Sequence, residues 1–501
     1  MRKLILGPPG TGKTTTLLHH VDQCIRRGIP TQRIAYVSFT RKATYEAQAR
    51  AIEKFDLGKR ALPYFKTIHS ICFSEMGIVQ GQTMQRDDYK DLGKQLGIEF
   101  TGFYSQEEGL PTGGAEGDKL LFIDSYARAT RRGLEQAWRS VGTDVATWQA
   151  VKQFSETLRA FKSANGLIDY TDMLELYLME GGELPVDVAF IDEAQDLSTL
   201  QWEVVRMMMG GAEEVYIAGD DDQAIYKWSG ADVEQFLTLP VDERVILNKS
   251  HRLPRAVYEY TKTLTARMTN RYEKEYMPND NEGAVVHIPS PHQIKIEGDD
   301  TWLFLARNVY LLEELETIAH AQRVTYECRG RKSVSDPHVR AIKNWQRLIE
   351  GELLGTESVR DVYKWLKVGE GVVRGFKSLK NMPEEEVYSL LDLQRDWGLL
   401  VSSPWFDALT GIAAAERTYY QSILRAGHRL TGQPQVIINT IHGVKGGEAD
   451  HVVVVPDMAY KTFVEYEKDP DDEHRVFYVA ASRARKTLYL VDPRNRYYYH
   501  W

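Results

Sequence analysis

Gly7-Pro8-Pro9-Gly10-Thr11-Gly12-Lys13-Thr14 follows the apolar run Leu4-Ile5-Leu6 and opens a helical stretch, 15–27, that Gly28 and Pro30 close. A strand, a glycine-rich loop and a helix in that order form a phosphate-binding unit. The glycines let backbone N–H groups turn inward around phosphate oxygens, and the helix N-terminus adds its partial positive charge. Lys13 brings a point charge to the β/γ position, and the Thr14 hydroxyl is a ligand for Mg²⁺. The expected nucleotide contacts are Gly7, Pro8, Pro9, Gly10, Thr11, Gly12, Lys13, Thr14 and Thr15. The fold class that goes with this unit is α/β, a parallel sheet with helices on both faces.

Further along, the apolar strand Val188-Ala189-Phe190-Ile191 ends in Asp192-Glu193-Ala194-Gln195-Asp196. Two adjacent carboxylates at a strand end can diverge in role: Asp192 holds Mg²⁺ through its water shell, and Glu193 orients or deprotonates the attacking water. Alone, such an end is commonly a solvated edge; the P-loop upstream gives the pair its weight. A third strand, 215–219, leads into Asp220-Asp221-Asp222-Gln223-Ala224-Ile225-Tyr226-Lys227-Trp228-Ser229-Gly230-Ala231. Gln223 is placed to sense a γ-phosphate. Tyr226 and Trp228, read as alternating positions of an extended segment, either offer one face for stacking bases or are core aromatics, and the residues alone leave both readings open.

In order and content these segments resemble a superfamily 1 DNA helicase of the UvrD/Rep/PcrA type. The resemblance extends to Val37-Ser38-Phe39-Thr40-Arg41-Lys42-Ala43, Thr67-Ile68-His69-Ser70 and Leu247-Asn248-Lys249-Ser250-His251-Arg252. It continues with Asn439-Thr440-Ile441-His442-Gly443-Val444-Lys445-Gly446-Gly447-Glu448 and Arg475-Val476-Phe477-Tyr478-Val479-Ala480-Ala481-Ser482-Arg483-Ala484. It implies two RecA-like parallel-sheet lobes with ATP and Mg²⁺ between them, each lobe carrying a largely helical insertion. The expected division is 1–77 and 166–242 for the first lobe, 78–165 for its insertion, 243–329 and 433–501 for the second lobe, and 330–432 for the second insertion.

Carried over residue by residue, the resemblance makes Lys13, Asp192, Glu193 and Gln223 catalytic from the first lobe, with Thr14 and Asp192 on the metal. Arg252 and Arg483 would reach the γ-phosphate from the second lobe as arginine fingers, with Glu448 near the ribose and His251 where relatives stack a tyrosine on adenine. Such fingers contribute about 10³ to 10⁵ in rate, so hydrolysis is quick only when the lobes close. Nucleotide state then becomes a lever on lobe spacing, as a motor requires. On the nucleic-acid side, Phe39, Tyr226 and Trp228 match positions that stack or pocket bases of a single strand, while Thr67, His69, Thr440 and His442 match positions near its phosphates or on the coupling path. Phe39 alone reads equally as a buried strand residue, and its neighbours Thr40-Arg41-Lys42 tilt it toward a nucleic-acid surface.

Some positions depart from the family. The adenine-reading glutamine segment that relatives carry before the P-loop has no counterpart in the six residues preceding Gly7, the arginine that usually follows the P-loop threonine is Thr15, and the third motif reads Trp228-Ser229-Gly230. The expectation is looser selectivity among nucleoside triphosphates.

The 501 residues are 43% hydrophobic and 27% charged, enough for several domains with their own cores. No apolar run approaches membrane-spanning length, so the expected setting is cytoplasmic, with a bacterial or viral origin and a monomer or weak dimer. Cys24, Cys72 and Cys328 lack metal-ligand spacing and read as reduced, mostly buried thiols. A formal net charge of −9 does not suggest a nucleic-acid partner, but a channel lined by a few cations and aromatics needs no basic whole. Local basic clusters stand at Arg128 with Arg131-Arg132 and at 329–332, the acidic run 465–473 reads as an exposed loop, and 497–501 is a short aromatic tail. Three functions fit these observations: an ATP-dependent DNA helicase acting at single-stranded DNA and its junctions with duplex, beside replication or repair proteins and moving 3′ to 5′ by family analogy; a single-strand translocase that strips proteins; and a P-loop ATPase switch without nucleic acid.

Overall fold

The computed structural model describes residues 1–38, 41–55, 58, 61–101 and 114–501, with backbone only at 41–43 and 46. Phe39, and most of the loop expected over 107–117, lie outside these residues. In the first lobe, the short apolar runs form β1 (Arg2–Leu6), β2 (Ile34–Ser38), β3 (Phe65–Thr67), β4 (Val188–Asp192), β5 (Glu214–Gly219) and β6 (Glu243–Ile246). They pair in the order β3-β2-β4-β5-β1-β6, all parallel. Alternate side chains enter opposite cores: Leu4, Leu6, Ala189 and Ile191 pack with helices Ile68–Glu75, Tyr170–Glu180 and Thr199–Met208. Ile5, Val188 and Phe190 pack with helices Lys13–Arg26 and Arg41–Phe55. A sheet buried on both faces needs apolar strands, which is why β1, β2, β4 and β5 show no polar alternation, whereas the edge strand β6 is largely exposed.

Strand β6 corrects one expected boundary. Residues 243–246, expected at the start of the second lobe, close the edge of the first sheet against β1. Parallel edge pairing is a long-range contact that local pattern does not carry.

The second lobe is built on β7 (Ala284–Ile288), β8 (Trp302–Ala306), β9 (Tyr326–Cys328) and β10 (Arg331–Lys332), and, past a small pair β11 (Leu354–Gly355) and β12 (Val387–Tyr388), on β13 (Val436–Thr440), β14 (Ala449–Val455) and β15 (Ala484–Val491). Its strand order is β10-β9-β13-β8-β14-β15-β7, parallel except for the β9–β10 hairpin. The molecule is therefore α/β with two parallel-sheet lobes.

The two stretches without motifs are mainly helical. Helices Arg86–Leu96, Glu116–Ala129, Leu134–Val141 and Trp148–Asn165 enclose a core of their own around Leu92, Phe122, Ile123, Phe154 and Leu158. The chain enters and leaves this insertion through paired backbone, Met84 N–H to the Ile168 carbonyl and Ile168 N–H to the Gln82 carbonyl. Helices Asp336–Ile349, Thr356–Tyr363 and Ala414–Arg425 instead share one continuous core with the second sheet, in which Trp345, Tyr363 and Tyr420 join Trp302, Phe304, Val436 and Val453.

Two surface expectations change. Arg128 faces inward: it binds Asp169, Asp172 and Glu175, and with Lys162 it ties the first insertion to helix Tyr170–Glu180. Its cluster is a structural knot, and Arg131 pairs with Glu203. The acidic run is helical, not looped, spanning parts of Tyr460–Lys468 and Pro470–Ala481. Within it Asp471 and Glu473 are buried, Asp471 accepting from the Thr269 and Asn270 backbone and Glu473 gripping Arg307. The aromatic tail is anchored by Tyr499, which is fully buried, stacked at 4.0 Å on Phe477 and bonded to His474 Nδ1, while His500 is exposed. All three cysteines are buried thiols.

Candidate active site and inter-lobe seam

The P-loop leaves β1 and starts helix Lys13–Arg26 from Gly12, whose φ of 80° opens the loop. Gly10 is constrained twice, by φ of +72° and by a neighbour: a Cβ there would lie 2.3 Å from Arg252 Cβ. The loop tip is docked on the segment that carries this arginine, with His251 N–H donating to the Gly10 carbonyl at 2.8 Å and Ser250 Oγ to the Pro9 carbonyl at 2.7 Å. Lys13 Nζ donates to the Gly7 carbonyl at 2.7 Å. Thr15 and His251 are exposed beside the loop.

Thr14 Oγ1 donates to Asp192 Oδ2 at 3.0 Å, and Tyr36 OH reaches the same oxygen at 2.7 Å. Burial, with Glu193 next to it, raises the Asp192 pKa. A hydroxyl and a carboxylate brought together at the mouth of a P-loop fit Mg²⁺, which takes one or two protein oxygens alongside phosphates. Glu193 sits at φ of 54°, a left-handed conformation that costs a non-glycine residue roughly 1–3 kcal/mol and turns it off the strand. Burial opposes its ionisation, but Lys13, Lys445 and Arg483 outweigh that and hold its carboxyl below the ordinary value. Gln195 Nε2 donates to one Glu193 oxygen at 2.6 Å and to Asp196 at 3.2 Å.

From the second lobe, Arg483 Nη2 donates to Gln223 Oε1 at 2.7 Å, and Gln223 Nε2 to Asp220 Oδ2 at 2.7 Å. Burial, together with Arg252 nearby, pulls the Arg483 guanidinium down to about 9, still charged at neutral pH. Arg252 bonds Glu448 through Nε. Lys13, Arg252 and Arg483 thus act on one cleft whose carboxylates are Asp192, Glu193 and Glu448, a set of cations able to take up polyphosphate charge. The structure brings together every residue expected on the nucleotide side. Sequence reading missed Lys445, which donates to Asp196 Oδ1 at 2.7 Å and to the Gln223 carbonyl at 2.6 Å across the seam. It lies three residues after His442 in a quoted motif, so the signal was present but its partner was not.

Among the residues expected on a nucleic-acid track, Tyr226, Trp228 and His442 cluster, with ring centroids 6.2 to 6.3 Å apart. Residues 227–229 form a short 3₁₀ turn rather than an extended segment, and the Tyr226 and Trp228 rings meet edge to face. Tyr226 is 2% exposed, its OH donating to the His442 carbonyl at 3.2 Å under the Lys445 ammonium. Trp228 is half-buried, stacked on Phe122 of the first insertion and edge-on to His442, and its Nε1 has no hydrogen-bond partner among the described residues. Thr67 caps helix Ile68–Glu75 by accepting from Ser70 N–H, and Thr440 Oγ1 accepts from Gly443 N–H at 3.1 Å. Burial and the charge of Arg307 push His442 well below the ordinary histidine value, leaving it neutral. His69, beside Tyr170, opens onto a cleft lined also by Thr171, Asp196, Ser198, Gln201 and Ser229.

Two parallel-sheet lobes, a P-loop on one and arginines from the other, define a two-lobed P-loop NTPase fold. The family described as "UvrD/REP helicase N-terminal domain" matches residues 2–243, and "UvrD-like helicase C-terminal domain" matches 418–494. The chain belongs to the UvrD/Rep/PcrA-type superfamily 1 helicases. ATP-dependent DNA helicase Rep of Escherichia coli is 23% identical over 323 residues, 59% of this chain and 46% of that one. A probable DNA helicase of Mycoplasma pneumoniae is 26% identical over 258 residues, 47% of each chain, and ATP-dependent DNA helicase PcrA of Staphylococcus aureus is 21% identical over 310 residues, 57% and 40%. The chain spans about half the length of the curated relatives it matches. Among solved structures, "The structure of PRRSV helicase" matches at 12% identity with a TM-score of 0.35, covering 99% of this chain and 53% of that one, too loose a likeness to add to the strand order.

Proposed function

We propose that this chain is an ATP-dependent DNA helicase that moves 3′ to 5′ along single-stranded DNA in the cytoplasm, coupling hydrolysis to strand separation at junctions with duplex. The observation that carries this reading is the Arg483–Gln223 hydrogen bond across the seam, beside a P-loop docked on the Arg252 segment. Hydrolysis by such a site depends on lobe closure, and closure is movement. Lys13 binds the β/γ-phosphates. Thr14 and Asp192 would hold Mg²⁺, which when bound offsets phosphate charge. Glu193, ionised and fixed through one oxygen by Gln195, orients the attacking water and takes its proton. Arg252 and Arg483 stabilise charge developing on the transferred group, and Gln223 reports its presence to the seam. Single-stranded DNA is read here as running past His69 and Trp228, whose ring supplies a sequence-indifferent stacking face.

Steady-state ATP hydrolysis with and without single-stranded DNA, with Glu193→Gln as blank, tests the reading. Strong stimulation that vanishes in the variant supports it; DNA-independent hydrolysis sinks it. Duplexes with 3′ or 5′ tails then test polarity. The ATPase-switch reading draws on one observation, the burial of Tyr226. It requires Trp228→Ala to damage folding and leave single-strand binding untouched.

A further inference from the structure

We infer that Lys274 is a positioning residue that holds Gln223, Arg252 and the helix leading to Arg483 as one unit. The inference rests on the ATPase reading above.

Its basis is a buried ionic node at the end of β5. Asp220, Asp221 and Asp222 are consecutive and at most 1% exposed, and all three carboxylates lie within 3.1 Å of Lys274 Nζ. Arg271 adds a bidentate pair to Asp222, with both bonds at 2.7 Å, and Arg475 Nε donates to the Asp221 carbonyl at 3.0 Å. Three carboxylates thus meet Lys274 and Arg271, and Arg475, which also pairs with Asp472 at 3.6 Å, adds a third cation through the Asp221 carbonyl.

Each member leads to a group facing the nucleotide cleft. Asp220, bound to Lys274, also accepts from Gln223 Nε2. The segment carrying Lys274 continues to Met277, whose backbone exchanges hydrogen bonds with Asn248 and Ser250, and to Asn279, whose Nδ2 donates to the Arg252 carbonyl at 2.9 Å. Arg475 stands on helix Pro470–Ala481, immediately before Arg483. Ile225, Tyr226 and Ala231 pack into the second lobe's core with Leu253 and Val257, so the turn after β5 is seated on the second lobe although its strand belongs to the first. Lys274 joins these elements without touching the cleft. Charge pairs of fixed geometry set a register that apolar contact alone would let slide.

The test compares the full-length wild type with Lys274→Met, Lys274→Arg and Lys274→Met/Asp221→Asn, measuring kcat and KM for ATP with saturating single-stranded DNA, thermal midpoint and DNA affinity. The double variant restores charge balance without restoring the tether. Lys274→Met is expected to lower kcat on the order of 10²-fold, the scale of a displacement of about 1 Å among catalytic groups, with KM and DNA affinity little changed. Lys274→Arg should recover part of the rate. The double variant should regain the thermal midpoint and not kcat. Recovery of midpoint and kcat together, or an unchanged kcat in folded Lys274→Met, overturns the positioning role and leaves the ATPase reading standing. A wild type that hydrolyses no ATP removes both.

Discussion

Where the P-loop meets the second lobe, the joining groups border an open cleft: Arg252 bonds an exposed Glu448, His251 lies in solvent, and Lys13 holds a carbonyl of its own loop. Where the turn after β5 meets the same lobe, Asp220, Asp221, Asp222, Lys274 and Tyr226 are closed off from water and bonded on every side. Exposed ion pairs contribute about 0–1 kcal/mol, whereas removing one partner of a buried pair costs roughly 3–5 kcal/mol. The P-loop side of the seam therefore combines a partly exposed pair with two buried bonds, Ser250 Oγ to the Pro9 carbonyl and Arg483 to Gln223, whereas the turn is held by buried groups throughout. The open half and the buried half differ in how much of the joining is shielded from water.

That contrast can be broken most directly at Arg483. Arg483→Ala should lower DNA-stimulated hydrolysis by about 10³ to 10⁵ in steady-state assays, and a loss below tenfold would mean that the open half is not completed by the second lobe. Tyr226→Ala should act on the buried half, removing about 3–5 kcal/mol of stability in denaturant titrations. Lys445→Met probes the boundary between the halves. Burial pushes Asp196 up to about 7, the nearby Lys445 opposing and Glu193 reinforcing that shift. Because this folded value exceeds the unfolded one, the group's contribution to stability is full below pH 3.8 and lost as pH rises through 7. Without Lys445 the carboxylate loses its cation, so the variant should be destabilised by about 1–3 kcal/mol at pH 8 and by less at pH 6, where Asp196 takes up a proton. Trp228→Ala should weaken single-strand binding by about 1–3 kcal/mol in fluorescence titrations while sparing basal hydrolysis. The smallest effect belongs to Lys461→Ala, which removes an exposed contact with Asp144 between the first insertion and the second lobe, worth about 0–1 kcal/mol.

The open half was legible in the sequence, and of the buried half only the segment 220–231 was. A P-loop, a strand ending in Asp192-Glu193 and the neighbourhoods of Arg252 and Arg483 are local signatures, each fixed by residues adjacent in the chain. Lys274 sits among Tyr272, Glu273, Glu275 and Tyr276 with no pattern to mark it, because its partners are some fifty residues upstream. The same reason explains Arg128, which reads as a basic surface until helix Tyr170–Glu180 is folded beside it. A period of two presumes a strand, and a 3₁₀ turn stands at 227–229 instead, setting Tyr226 and Trp228 edge to face with Tyr226 buried and Trp228 half-buried. Most strands of both sheets, by contrast, fall where apolar runs place them, since burial on two faces leaves an unbroken signal, while β6, β9 and β10 are short and carry no such run.

The two insertions also differ as modules. The first has its own core and enters and leaves through a narrow paired neck at Met84 and Ile168, so exchanging it for another compact domain would disturb little beyond Trp228, the Arg128 knot and the Arg131–Glu203 and Lys461–Asp144 pairs. The second supplies Trp345, Tyr363 and Tyr420 to the hydrophobic layer on which β8 and β13 lie. Cutting it out would strip one face of that sheet, so for protein engineering only the first insertion is a replaceable part.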